Sequence, residues 1–281
     1  MAVITELTLY PVKSCGGIAL QEAVVTGAGL MSGNVRDREW MVVDATGSFV
    51  TQRSHPKMAL IMPRLASEVL ELHAPGMAVF ELPLARAESA RTLTVELWED
   101  ALEARDCGDA AAAWVSGFLG TPCRLAHFDP GVARFADRRW TGGVEVPALF
   151  SDGFPMLLVS AASLADLNAK LEARGRETLP MNRFRPNIVI DGIAAFEEDY
   201  VRTLTIDGAV IKPVKPCPRC PIPSVDQATG MIGPDPLDIL RGYRADPRVG
   251  GGITFGMNAI LAEGEGRVLR VGCEAEVDFA F

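Results

Sequence analysis

Val214-Lys215-Pro216-Cys217-Pro218-Arg219-Cys220-Pro221-Ile222-Pro223-Ser224 carries two of the six cysteines, a basic residue between them and four prolines. Proline locks φ and donates no backbone hydrogen bond, so the segment reads as neither helix nor central strand. It reads as a stiffened loop that presents two thiols, and the surrounding chain is read for what it brings to that loop. The pair admits several chemistries. A zinc half-site needs a second pair of ligands. Here Cys15, Cys107, Cys123 and Cys273 stand singly, and His55, His73 and His127 are scattered. A thioredoxin-type dithiol needs a helix N-terminus to lower its thiol pKa, and Pro223 with Ser224-Val225-Asp226 makes a poor one. A single thiolate can instead ligate a soft, high-valent metal, with Arg219 supplying positive charge beside it. The remaining reading is a pair of buried, inert cysteines.

Upstream, Thr203–Ile206, Asp207-Gly208 and Ala209–Lys212 spell a type I′ hairpin that delivers the chain to this loop. Before it, Arg183-Phe184-Arg185-Pro186-Asn187 sets two arginines and an asparagine at the mouth of a buried-type strand, Ile188–Ile190. That combination suits an oxyanion or a heterocycle. Ser151-Asp152-Gly153-Phe154-Pro155 is a turn leading into the apolar run Met156–Val159. Ser160 then caps a helix to about Arg174, with Leu164, Leu167 and Leu171 on one face and Gly175 as its stop. Downstream, a short helix is expected over Pro236–Arg244, with closing strands at Phe255–Leu261 and Arg267–Val271.

In the first half, Ile4–Tyr10 alternates as a strand. It runs into Pro11-Val12-Lys13-Ser14-Cys15-Gly16-Gly17, where ammonium, hydroxyl and bare N–H groups can face an anion; a solvated turn is the plainer alternative. Arg36-Asp37-Arg38 is either a surface ion-pair cluster or a device that aims one arginine inward. Hairpins are expected at Met41–Asp44/Phe49–Arg53 and Val69–His73/Met77–Leu82, a strand at Leu93–Trp98, a helix at Asp109–Leu119 closed by Gly120, and a strand at Cys123–Phe128. His127 reads as a strand residue without an identifiable partner.

The 281 residues are 48% hydrophobic and 22% charged, an ordinary globular composition for one or two domains. No apolar run approaches the ~20 residues of a membrane span. The net charge of −9 argues against general nucleic-acid binding, yet leaves room for a small buried anion site. The start, Met1 to Glu6, has no secretory or transit character. The expectation is a cytoplasmic protein with reduced thiols and no membrane partner.

Taken in order, YPVKSC (10–15), GNVRDREW (33–40), SDGFP with the following LL and SLADLN (151–168), RFRPNIVI (183–190), CPRC (217–220), VDQATG (225–230) and FG (255–256) resemble the MOSC-domain proteins that carry an N-terminal MOSC β-barrel, including the mitochondrial amidoxime-reducing components and their bacterial homologues. The resemblance implies an α+β fold of two β-rich, barrel-like modules with a few flanking helices. It places an N-terminal barrel domain at 1–125, a MOSC domain at 126–281 and the cofactor cleft between them.

The resemblance further implies a molybdenum cofactor whose metal is ligated by Cys220, the expected catalytic residue. Lys13, Ser14 and Arg38 would hold the pterin phosphate, Arg185 and Asn187 the pterin, and Ser151 and Asp152 would contribute from their turn. Arg219 would lie beside the metal cysteine. The chain departs from the animal members at Gly153, Phe154 and Pro218, where hydroxyl contacts are lost or replaced by backbone. The implied reaction is reduction of small N-hydroxylated substrates such as amidoximes, hydroxylamines and N-hydroxylated bases. Some bacterial homologues carry a C-terminal ferredoxin domain. This chain shows no four-cysteine [2Fe–2S] spacing, so electrons are expected from a separate ferredoxin- or cytochrome b5-type donor with its reductase. The rival reading is a non-redox cofactor or sulfur-carrier module. Pyridoxal phosphate, also linked to this fold, finds no recognisable Schiff-base lysine motif here.

Overall fold

The computed structural model describes residues 1–85 and 91–280. Its centre is a nine-stranded sheet that closes on itself. The first strand, Ala2–Leu9, buries Ala2, Ile4, Leu7 and Leu9. It pairs antiparallel with two strands from the second half of the sequence, Ile188–Asp191 and Glu274–Phe279. Met156–Ser160 pairs parallel with Ile188–Asp191 and antiparallel with Gly252–Glu263, and this double pairing closes the barrel. Gly256 sits at the closure with φ +75°; a Cβ there would lie 2.6 Å from Val159 Cγ2 and 2.8 Å from the Leu158 carbonyl. Only glycine fits so close a backbone approach.

Val201–Ile206 and Ala209–Pro218 form the expected hairpin, with Asp207 (φ 47°) and Gly208 (φ 77°) both left-handed, as a type I′ turn requires. Helix Ala161–Glu172 begins where Ser160 accepts a hydrogen bond from Ala162 N (3.2 Å). It packs Leu167 and Leu171 against Phe184, Phe255 and Leu240. A four-stranded sheet, Thr92–Leu97, Asp100–Asp106, Cys123–Phe128 and Trp40–Asp44, lies beside the barrel with helix Asp109–Leu119. Two smaller sheets complete the α+β architecture, one joining Glu22–Thr26, Gly29–Ser32 and Val35–Arg36 to Val268–Arg270.

Two expectations are corrected. The prolines around Cys217 do not exclude a strand: Ala209–Pro218 is continuous, paired with Gly252–Glu263 through register shifts at Pro213/Lys215 and Pro216/Pro218. The shifts put the missing N–H groups where no ladder bond is required. Conversely, Phe49–Arg53 does not return as a strand. Phe49 makes one isolated bridge to Val43. The chain then turns inward, with Ser54 N and His55 N both bonded to the Thr51 carbonyl. Strands Glu22–Thr26, Met62–Leu65, Asp100–Asp106 and Glu274–Phe279 carry patterns too short or too polar to stand out.

Candidate active-site cleft

The hairpin strand ending at Pro218 brings Cys217 and Cys220 to one side of a cleft of about 220 Å³. Every site residue singled out from the sequence, Lys13, Ser14, Arg38, Ser151, Asp152, Arg185, Asn187, Arg219 and Cys220, lines this cleft, together with Cys217. The arginine cluster resolves into opposite fates. Arg36 stays near Glu39 at the surface, its side chain 41% exposed, whereas Arg38 turns inward.

The backbone is strained around the cleft. Six non-glycine residues among those described have positive φ, and Ser14 (64°), Arg38 (49°), Trp98 (58°) and Arg185 (56°) all line it. Side chains with a Cβ resist this conformation, and it persists only where surrounding contacts over-determine it. Those contacts are visible. Arg38 N donates to the Tyr10 carbonyl (2.7 Å) and Tyr10 N to the Asp37 carboxylate (2.8 Å). The guanidiniums of Arg38 and Arg185 lie 4.5 and 4.3 Å from the centroid of the Tyr10 ring. Arg185 Nη1 donates to the Cys15 carbonyl (2.6 Å).

Asn187 is spent entirely on the protein. Its Oδ1 accepts from Leu157 N (3.1 Å) and Arg38 Nη1 (3.2 Å), and its Nδ2 donates to the Thr8 carbonyl (3.2 Å) and Asp37 Oδ1 (2.8 Å). Lys13, 5% exposed, donates to the Phe150 carbonyl (2.9 Å) and to Asp152. Burial pulls the Lys13 pKa down, against the opposing pull of Asp152. The Asp152 side chain is 71% exposed, and the Lys13 ammonium, the hydrogen bond from it and Arg38 together hold its carboxyl below the usual range.

Arg219 donates from Nη1 to Cys217 Sγ (3.1 Å) and from Nη2 to the Phe184 carbonyl (2.8 Å). Arg183 ties down the chain beyond Cys220, donating to the Ser224 carbonyl (3.1 Å) and to Asp226 (2.6 Å). Burial pushes the thiols of Cys15 and Cys107 up to about 12, which makes them inert packing groups.

Three buried polar atoms of the cleft have no protein partner: Ser151 Oγ, Arg185 Nη2 and Arg219 Nε. Unpaired buried donors are costly, and three in one cleft ask for a ligand rich in acceptor oxygen. Among the described residues no three His, Cys, Asp or Glu side chains gather to hold a metal ion. A bound group that brings most of its own metal ligands needs only one thiolate from the protein. The residues present therefore fit an anionic, metal-bearing cofactor.

Sequence reading passed over several lining residues. Arg53 stands at the mouth, its guanidinium 4.6 Å from the Trp98 ring, and Trp98 Nε1 donates to Asp152 (3.2 Å). Neither lies in a local pattern that marks it. His127, left without a partner, meets Glu39 (3.1 Å) and lies beside Trp40, with ring centroids 4.8 Å apart.

The fold and cleft define a MOSC-type protein. Residues 1–122 match the MOSC N-terminal beta barrel domain and residues 145–276 the MOSC domain. Mitochondrial amidoxime reducing component 2 of Bos taurus is 36% identical over 252 residues, covering 88% of this chain and 74% of its own length. Mitochondrial amidoxime-reducing component 1 of Homo sapiens is 37% identical over 255 residues, covering 88% and 74%. The chain belongs to the MOSC-protein family that contains these amidoxime-reducing components. Among solved structures, the YUAD protein of Bacillus subtilis covers 99% of this chain and 96% of its own at 11% identity, with a TM-score of 0.40. No helix among the described residues is long and apolar enough to cross a membrane.

Proposed function

We propose that this chain is a molybdenum-cofactor-dependent reductase of N-hydroxylated compounds, receiving electrons from a separate carrier protein. The observation that carries the reading is the convergence on one cleft of two thiols, three partnerless buried polar atoms and four left-handed non-glycine residues. The relatives' printed names, amidoxime-reducing components, support the reaction class.

Cys220 would supply the metal thiolate. Arg185 Nη2, Arg219 Nε and Ser151 Oγ would satisfy cofactor oxygens, and Lys13, Ser14 and Arg38 would hold its phosphate. Asn187 would act from behind, by fixing Arg38 and Asp37. When bound, such a cofactor supplies oxygen-atom acceptance from the substrate, with return of that oxygen as water. The protein's own contribution is positional. Arg219, which donates to Cys217 Sγ, would keep that thiol in place beside the ligating Cys220, and the Lys13 ammonium, paired with Asp152, would be available to the cofactor's phosphate. Phe154, Met156 and Phe184 supply apolar lining on the cleft wall. We place the protein in the cytoplasm as part of this proposal.

The test is elemental analysis for molybdenum and zinc on wild type, Cys220→Ala and Cys217→Ala, all produced in a cofactor-synthesising host. The expected result is near-stoichiometric molybdenum in wild type, a loss of metal or of its thiolate signature in Cys220→Ala, and retention in Cys217→Ala. Wild type free of molybdenum overturns the proposal. Metal without turnover of an amidoxime under a chemical reductant replaces it with the non-redox carrier reading.

A further inference from the structure

We propose that a second cavity, backing onto the thiol loop and rimmed by Arg139, Lys215 and Arg248, is the docking surface for an acidic one-electron carrier protein; this rests on the reductase reading above. The cavity, about 450 Å³, shares Pro218 with the main cleft. Lys215 precedes Cys217 by two residues on the same strand, roughly 7 Å at about 3.3 Å per residue. A partner seated here is a short step from the thiols without entering the substrate's path.

The rim is built by the same device twice. Asp137 caps a helical turn and accepts from Arg139 N (3.0 Å) and Nε (2.9 Å). Asp246 does the same for Arg248 N (2.8 Å) and Nε (3.0 Å). In both, the aspartate grips Nε and Nη2 and leaves Nη1 outside the pair. Each guanidinium is thus fixed in place yet keeps a donor edge to offer. Between them, Lys215 makes no salt bridge among the described residues. Its ammonium rests 5.6 Å from the Trp140 ring centroid and 5.7 Å from that of Phe154.

On a chain of net charge −9, three oriented cations around one cavity next to the reactive loop form a local exception. The aspartates lower the patch's net charge, so what it offers is directed hydrogen bonding with modest attraction. The Arg139 and Arg248 side chains are 85% and 45% exposed, where contacts to a small anion are worth little. A protein that covers and desolvates the rim gains more from them. Small, charge-steered interfaces suit carriers that must dock and leave. The chemistry demands such traffic: R–NH–OH + 2e⁻ + 2H⁺ gives R–NH₂ + H₂O, so a one-electron carrier docks twice per turnover and is oxidised each time.

The experiment compares wild type with Lys215→Glu and with Arg139→Glu/Lys215→Glu, after thermal melts show that the variants fold. Binding of two acidic probes, a [2Fe–2S] ferredoxin and cytochrome b5, is measured by calorimetry at about 20 and about 300 mM salt. In parallel, amidoxime turnover is followed with reduced methyl viologen. For at least one probe, Kd is expected to rise about 10-fold with salt in wild type and at least about 10-fold in the double variant at low salt. The viologen-driven rate should stay within about twofold, because these side chains lie outside the cleft. Unchanged carrier affinity in the double variant, or no salt-sensitive binding of either carrier to wild type, overturns the inference. Absence of viologen-driven turnover in wild type overturns the reductase reading instead, and the binding data still decide the docking.

Discussion

Asn187 Nδ2 donates to Asp37 Oδ1 at 2.8 Å, across 150 positions of sequence, and so locks the loop that bears Arg38 onto the strand that follows Arg185. Asp37 is 2% exposed, and burial raises its pKa against the opposing pull of Arg38 and the amide. Asn187→Ala removes the amide from Leu157 N and the Thr8 carbonyl, and leaves Asp37 Oδ1 with Tyr10 N. Denaturant unfolding should show a loss of about 2–4 kcal/mol. A loss below about 1 kcal/mol would mean that water replaces the amide at no cost.

Tyr10 separates into ring and hydroxyl. The ring carries two guanidiniums within 4.5 Å of its centroid. Tyr10→Phe keeps that surface and should change stability by less than about 1 kcal/mol. Tyr10→Leu should cost about 2–4 kcal/mol through lost packing and two lost cation–π contacts. It should also weaken anion binding in the cleft. Equal effects from both substitutions would argue against the ring as the support.

Gly256→Ala tests the barrel closure. At φ +75° with the Leu158 carbonyl 2.8 Å from a built Cβ, the strands must part to admit a methyl group. The expected cost is about 2–4 kcal/mol, read as a lower denaturation midpoint. A neutral result would show that the Met156–Ser160 pairing is looser than its register implies.

Glu198 gives a pH signature. Burial pushes its carboxyl from 4.5 up to about 7, against hydrogen bonds from Ser163 Oγ (2.8 Å) and Ser160 N (3.3 Å). The folded state therefore holds a proton that the unfolded state releases. This stabilisation is full below about pH 4.5 and is lost as pH rises to about 7, on the order of 3 kcal/mol across the window. Glu198→Gln should flatten that stretch of the stability-versus-pH curve. An unchanged slope would assign the dependence to another group.

Local chemistry was legible where it acts alone. The Asp207-Gly208 turn, the Ser160 cap and the Asp109–Leu119 helix with Gly120 at φ 74° each follow from a few adjacent residues. The cleft residues were legible through the ordered motifs. What local pattern misread was the motif strand itself, because a proline's tolerance depends on where the partner strand shifts register. Arg53 and Trp98 were invisible for a similar reason: only the tertiary fold that sets Trp98 against Asp152 and Arg53 over the Trp98 ring gives them a role.

By itself the sequence determined the turns, the caps, the alternation of the strands and the set of charged and thiol side chains available to a site, since these depend on neighbours a few bonds away. Tertiary structure decided which strands pair, and it set Ala2–Leu9 between two strands from the second half of the chain. It also decided that Arg38 points inward while Arg36 faces solvent. Those outcomes rest on pairings between distant segments, where closing one barrel buries one arginine against Tyr10 and leaves its neighbour in water.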